Sequence, residues 1–325
     1  MAKNNASRLV VIGENINTTR RIKATSANIV REDGKIGYAY QDIDGERRVL
    51  DMTDAFPSDE TQLRNARVSP IGQGVRKRNL DFLRWAILSQ QRAGASIIDL
   101  CVDELSVYPE ERHEHMRWVV KAAQSLWDGS FAIDSSDPNT IKAGLSVYDH
   151  GKGRPAINSV SLEAGRDELI QIGKDLKCYI FANGSGNKGM PQDAQQRVDN
   201  LTNCMALMDS ANVPMQDRFL DPLVFPVGAG PDFGKHYLDS VKALRERFPE
   251  VHIFGGLSNV SFGLPRRKLL NHAFITLAIM SGCDAIMIDP LMNAPIDYIE
   301  FQIAADVMTA KDEYALNFLK FVRGK

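Results

Sequence analysis

RLVVIGENINTTRR, residues 8–21, decides between two architectures. A short apolar run, rich in β-branched residues, ends at a single glycine, Gly13, and passes into Glu14, Asn15 and Asn17. An open, doubly wound sheet usually follows its first strand with a glycine-rich phosphate turn. One glycine does not make that turn. The stretch reads instead as the first strand of a closed barrel, with polar side chains where the strand ends.

Seven more runs repeat the pattern: SIIDLC (96–101), FAIDS (131–135), PAINS (155–159), KCYIFA (177–182), RFLDP (218–222), VHIFGGL (251–257) and DAIMID (284–289). Continuous apolar runs indicate strands buried on both faces, which is the habit of parallel sheets. Helical patterns separate them, over roughly 76–93, 110–127, 138–148, 165–174, 191–212, 232–248, 266–282 and 297–322. Eight strands alternating with eight helices predict an α/β fold, a (β/α)8 TIM barrel. In SSDPNTIKAGL a Ser or Asp caps a helix and Pro138 takes its first turn; Pro265 does similar work before RRKLLNHAF. Gly94, Gly144 and Gly282 are placed as helix terminators.

One segment breaks the alternation. About 55 residues separate the first strand from the first helix, more than a βα loop needs. Within this 20–75 insertion, IVREDGKIGYAYQDIDGERRVLD carries two Asp-Gly turns between short alternating stretches and predicts a β-meander. It is either a surface decoration or, since it leaves the mouth of the barrel, a lid or partner-docking flap. With that exception, 1–325 reads as a single domain.

Composition narrows the function. The net charge of -2 and the lack of a basic block argue against nucleic acid. No apolar run can span a bilayer, and MAKNNASRLVVIG shows no signal peptide, so a cytoplasmic protein is expected. The four cysteines, Cys101, Cys178, Cys204 and Cys283, form no C-x-x-C pair and read as reduced core thiols. His113 and His115 stand two apart on a helix and cannot share a metal.

In a barrel the active site lies at the C-terminal ends of the strands. Those ends carry Glu14, Asn15 and Asn17; Asp99 with Asp103 and Glu104; Asp134; Asn158; Asn183; Asp221; Ser258 and Asn259; and Asp289. The set is acids and amides, without a nucleophile elbow or a strand-end lysine, which disfavours acyl transfer and Schiff-base chemistry. Amides suit a flat heterocycle whose edge alternates donors and acceptors, and a buried carboxylate suits an N–H beside an exocyclic amine. A Mg²⁺ site built on Asp99, Asp134, Asp221 and Asp289 is the rival. Each residue also has a plainer use: Asp134 as a helix cap, Asp221-Pro222 as a turn, Asn158 bonded to nearby backbone.

GENIN, FAIDSS, PAINSVSLE, LDPLVFPVG and GLSNVSFGLPRRKLLNHAF together resemble the pterin-binding methyltransferases. The likeness is to methyltetrahydrofolate:corrinoid methyltransferases and the folate domain of cobalamin-dependent methionine synthase, and it spans the chain outside the insertion. It implies a dihydropteroate-synthase-like barrel that takes tetrahydrofolate or 5-methyltetrahydrofolate as substrate. It implies that Asp134, Asn158 and Asp221 hold the pterin edge, that Asn259 lies near N5, and that Gly256, Ser258 and Arg267 belong to the same site, with Glu14 and Asn183 beside them. The methyl would pass between N5 and the cobalt of a corrinoid on a partner protein, in either direction, with no resident metal and with a homodimer as the assembly. A dihydropteroate synthase-like enzyme and a non-catalytic pterin-binding subunit of a corrinoid complex remain as alternatives. The Arg-x-His close of the former's eighth strand is replaced here by IDPLMNAP. One departure from the methyltransferase pattern stands out: Asp99-Leu100-Cys101 occupies the place of Asp-Leu-Asn.

Overall fold

The computed structural model describes residues 9–32, 34–63 and 65–323. Residues 1–8, Asp33 of the first Asp-Gly pair, Arg64 and 324–325 lie outside the described residues. The strands are β1 (Val10–Asn17), β2 (Ile22–Lys23), β3 (Ile29–Glu32), β4 (Lys35–Gln41), β5 (Arg47–Asp51), β6 (Arg67–Val68), β7 (Ile97–Cys101), β8 (Ser130–Asp134), β9 (Ala156–Val160), β10 (Tyr179–Asn183), β11 (Arg218–Asp221), β12 (His252–Ile253) and β13 (Ala285–Ile288). The helices are α1 (Glu60–Leu63), α2 (Pro70–Arg76), α3 (Leu80–Arg92), α4 (Pro109–Leu126), α5 (Pro138–Leu145), α6 (Glu168–Asp175), α7 (Ala194–Ser210), α8 (Phe233–Arg247), α9 (Arg267–Ser281), α10 (Pro295–Met308) and α11 (Leu316–Arg323).

The main sheet has eight strands in the order β12-β11-β10-β9-β8-β7-β1-β13, and the pairings β1–β13, β7–β8, β8–β9, β10–β11 and β11–β12 are parallel. Its two ends meet where Met287 N donates to Gly255 O and Gly256 bridges Met287. The expected (β/α)8 barrel is the fold. Strand interiors such as Ile97, Ile98, Leu100, Phe131, Ala132 and Ile133 are buried. Each large apolar side chain so placed contributes roughly 1.5–3 kcal/mol. All four cysteines are free and buried.

The chain divides into two compact units: Met1–Gly13, Ala93–Ser96 and Ser159–Lys325 within the described residues, and Glu14–Arg92 with Ile97–Asn158. The second carries the insertion. There β3, β4 and β5 form the expected antiparallel meander, and a short β2–β6 pair stands at its base. The meander is fastened to α3. Tyr40 packs against Phe82 and Trp85 at centroid distances of 5.1 and 5.0 Å, Arg84 pairs with Asp44 at 3.2 Å, and Lys77 lies 3.2 Å from both Asp51 and Asp54.

Four local expectations are corrected. The helix expected over 76–93 is α3, but the 20–75 segment ends in a further helix: Ser69 caps α2, Arg78 turns left-handed at φ 50°, and Asn79 accepts from Phe82 N to start α3. The last helix is two. Ala310, Tyr314 and Ala315 have positive φ, and Asp312 accepts from the amides of Asn317 and Phe318 to open α11. Gly144 lies inside α5, where a Cβ would come within 2.7 Å of Ile133 and 2.9 Å of Met116, so close packing rather than termination requires it. Pro265 precedes the cap residue of α9 rather than occupying its first turn.

Candidate functional site

In the unit that contains β7 and β8, neighbouring strand ends stand in register, Cys101 with Asp134 and Asp134 with Asn158. Asn158 Nδ2 donates to Asp99 Oδ1 at 2.9 Å, so its amide serves a carboxylate rather than local backbone. Asp99 is 2% exposed. Burial holds its carboxyl well above the usual carboxylate range; the charge of Asp134 and, less, of Glu14 push the same way, and the Asn158 bond opposes them. Asp99 and Asp134 are also hydrogen-bonded to each other. Asp134 is not the helix cap: Asp137 is, accepting from Asn139 N at 2.9 Å.

The loop after Asp134 is held from β7's side by Asp103, which accepts from Ser136 N and Ser136 Oγ at 2.7 Å each and from Ser135 Oγ at 2.5 Å. Sequence reasoning placed Asp103 only as a strand-end acid. Its spacing from Asp99, on the turn just past the strand, was the one signal available. Glu14 pairs with Arg20 at 3.2 Å. Burial first, then the charges of Asp134, Asp103 and Asp99, raise the Cys101 thiol well above its ordinary value, so it remains a neutral, poorly nucleophilic group.

In the other unit, Asn183 and Asp221 are direct partners across β10 and β11. Asn183 Nδ2 donates to Ser159 Oγ at 2.6 Å, while its Oδ1 accepts from Ser185 N at 3.0 Å. Asp221 Oδ1 accepts from Leu223 N at 2.8 Å across a turn in which Leu223 takes φ 69°, so the plainer reading of Asp221-Pro222 as a turn holds as well. Burial lifts the Asp221 carboxyl to about 7 despite the Leu223 amide and the charge of Arg197. Arg197, fully buried, donates to Asp193 O at 2.7 Å and lies 4.8 Å from the centre of the Phe225 ring. Nothing in the sequence distinguished it from a solvated helix arginine.

The same unit carries the glycine loop. Tyr237 Oη donates to Phe254 O at 3.0 Å, and a Cβ on Gly255 would come within 2.7 Å of the Tyr237 hydroxyl. A Cβ on Gly256 would stand 3.1 Å from Asn259 Nδ2. The chain then makes one 3-10 turn, Leu257–Ser261, with Asn259 N donating to Gly256 O at 3.0 Å. Asn259 is exposed, and its side-chain amide has no hydrogen-bond partner among the described residues. Ser258 is buried, and Arg267 is engaged with the loop: Nη2 donates to Ser258 O at 2.8 Å and Nε to Ser261 Oγ at 3.0 Å. Ser261 in turn donates to the buried Asn271. Arg267 thus braces the turn that presents Asn259. Asp289 is spent on the amides of Leu291 and Met292. Among the described residues no three His, Cys, Asp or Glu side chains gather to hold a metal ion, and no helix is long and apolar enough to cross a membrane.

The arrangement offers acids with amide partners at strand ends and one unencumbered amide on a braced loop. Known proteins agree with that character. The chain is 28% identical over 265 residues to a methylcorrinoid:tetrahydrofolate methyltransferase of Eubacterium limosum, covering 80% of this chain and 94% of that one. It is 24% identical over 305 residues to methionine synthase of Mycobacterium tuberculosis, 86% of this chain but only 24% of that longer protein. In structure it resembles a Yersinia pestis DHPS bound to a pterine-sulfa conjugate (TM-score 0.55, 18% identity, 71% of this chain and 90% of that one). It also resembles a Coxiella burnetii dihydropteroate synthase in complex with pteroic acid (TM-score 0.55, 13% identity, 93% and 95%). The model of the pterin binding enzymes matches residues 65–289, most of the chain, and the protein belongs to that family.

Proposed function

We propose that the protein moves a methyl group between N5 of tetrahydrofolate and the cobalt of a corrinoid carried by a partner protein. The relative from Eubacterium limosum is named for the direction from methylcorrinoid to tetrahydrofolate, and we read this chain the same way. The single observation that carries the proposal is the Asn259 amide, exposed and unpartnered, on a turn whose glycine leaves it room.

Asp134, with Asn158 behind it, takes the N–H and amine edge of the pterin; Asp221 and Asn183 serve the same ring; Glu14 and Ser258 belong to the binding set. As the N5 lone pair forms its bond to the methyl carbon, the cobalt–carbon bond breaks and its electron pair stays on cobalt. N5 becomes cationic and then sheds its proton. Asn259 Oδ1 accepts from N5–H, a bond that strengthens as the positive charge builds, so the amide favours the transition state over the ground state. In the reverse sense the same bond stabilises the protonated N5, from which the methyl can depart to leave a neutral amine. No strong acid is required, which suits a site without histidine.

The meander, pinned to α3 by its aromatic cluster, is better suited to dock the corrinoid protein than to swing as a lid. The homodimer we propose would use exposed apolar side chains of α9 such as Leu277 and Met280. The cytoplasm is the proposed compartment. The test is Asn259→Ala. Tetrahydrofolate affinity by calorimetry stays within a few-fold, while single-turnover methyl transfer with free methylcobalamin or cob(I)alamin slows by about 10²-fold or more. Equal losses in binding and rate would reduce Asn259 to a binding residue.

A further inference from the structure

A second cavity, none of whose lining residues enters the pterin set above, opens where α9 and α10 begin. It has a volume of about 440 Å³, and its walls include Arg266, Lys268, His272, Asn293, Asp297 and Tyr298. Three observations give it a chemistry. First, both helices start without a side-chain cap, at Arg266 (φ 55°) and at Ala294, so the positive ends of a 15-residue and a 14-residue helix face it bare. Second, Arg266 and Lys268 are exposed and make no ion pair among the described residues. Third, Asn293 is 1% exposed, its Nδ2 makes only a long 3.4 Å bond to Asp289 O, and its Oδ1 has no partner among the described residues. A buried amide oxygen left so loses roughly 1–3 kcal/mol until a donor reaches it.

A bare anion such as phosphate would answer the cations but not Asn293 or the Asp297 carboxylate, both of which want a donor. The fitting ligand has a carboxylate, an N–H and a flat apolar portion, the last for the wall where the His272 and Tyr298 rings lie 5.5 Å apart. The aminobenzoyl-glutamate half of folate has all three. Arg267, between Arg266 and Lys268, reaches the other way to Ser258 and Ser261. Consecutive residues at the start of α9 therefore join the cavity wall to the loop that holds Asn259. We infer that this cavity takes the carboxylate-bearing tail of the folate, with Arg266 and Lys268 on the carboxylates and Asn293 on an amide N–H. The inference rests on the folate reading above and adds a tail subsite to it.

The test compares 6-methyltetrahydropterin, which has no tail, tetrahydrofolate, and inorganic phosphate, by calorimetry on the full chain. In the wild type the tail should improve affinity by about tenfold or more, the scale of one or two charge-assisted contacts. The double variant Arg266→Ala/Lys268→Ala should reduce that gain to about twofold or less, with the tailless pterin bound as before. Asn293→Leu, which removes the acceptor offered to the amide N–H, should shrink the gain as well. If the gain survives in both variants, the tail lies elsewhere and the inference fails. It fails equally if phosphate binding alone is weakened. A wild type that binds no reduced pterin of either kind would remove the folate reading itself, and the inference with it.

Discussion

The strand-end acids and the glycine loop solve opposite problems. Asp99 and Asp221 are buried, partnered and pushed toward their protonated forms. Asn259 is exposed and neutral, and its side chain bonds none of the described residues. The acids are set before any ligand arrives, and their environment costs the fold stability. The loop amide costs the fold little and keeps its donor and acceptor for the substrate. Groups that grip an invariant edge gain from rigidity, whereas a group whose bond must tighten during reaction gains from being uncommitted.

The largest effect should come from Asp221, as stability. Its folded carboxyl titrates at about 7 against an ordinary 3.8. Between those values the folded state holds a proton that the unfolded chain has released, so stability falls as pH rises through this window and levels off above it. Asp221→Asn lacks this dependence. Denaturant unfolding at pH 4.5 and pH 8 should show the wild type losing up to about 3 kcal/mol relative to the variant. Asn259→Ala, on the same measurement, should stay within about 0.5 kcal/mol of the wild type at both pH values, as exposed substitutions usually do. A parallel response of the two variants would dissolve the contrast.

A smaller effect separates the two regions by what they do to substrate. Asp134→Asn keeps the shape but replaces a charge-assisted acceptor with a neutral one that also presents an unwanted donor. The dissociation constant for tetrahydrofolate should rise by about 30-fold, near 2 kcal/mol. Methyl transfer from the saturated enzyme should stay within a few-fold of wild type. That is the mirror image of Asn259→Ala. If saturated turnover collapses instead, Asp134 takes part in the chemical step.

The fold was readable because most barrel strands are largely apolar and run into a polar residue, from SFAID at β8 to AIMI before Asp289. The meander was readable from Asp44-Gly45 and its flanking alternation. What escaped were breaks made by single side chains. Asn79 and Asp312 each restart a helix by accepting one or two amides, and a periodic pattern runs straight through such points. In the site, residue types and strand-end positions were legible, but partnerships were not. That Asn158 donates to Asp99, that Asp103 ties down Ser135 and Ser136, and that Arg267 braces the loop are matters of register and rotamer. The second cavity was silent in sequence for the same reason: Asn293 looks like any turn asparagine until its buried oxygen is found without a donor.

The smallest effect tests the loop without touching the amide. A methyl group on Gly256 would stand 3.1 Å from Asn259 Nδ2, closer than ordinary van der Waals contact, and the flexible amide rather than the backbone would yield. Gly256 has φ -70°, so alanine meets no backbone penalty there. Gly256→Ala should therefore fold with a melting temperature within a few degrees of wild type and bind tetrahydrofolate almost normally. Its methyl transfer should slow by about tenfold, because Asn259 loses part of the arc through which it meets N5. Combining it with Asn259→Ala should add nothing to the rate loss of the single Asn259 variant, since the glycine acts only through that amide. An additive double variant would show that Gly256 contacts the substrate in its own right, and the freedom of the Asn259 side chain would no longer explain why a glycine stands there.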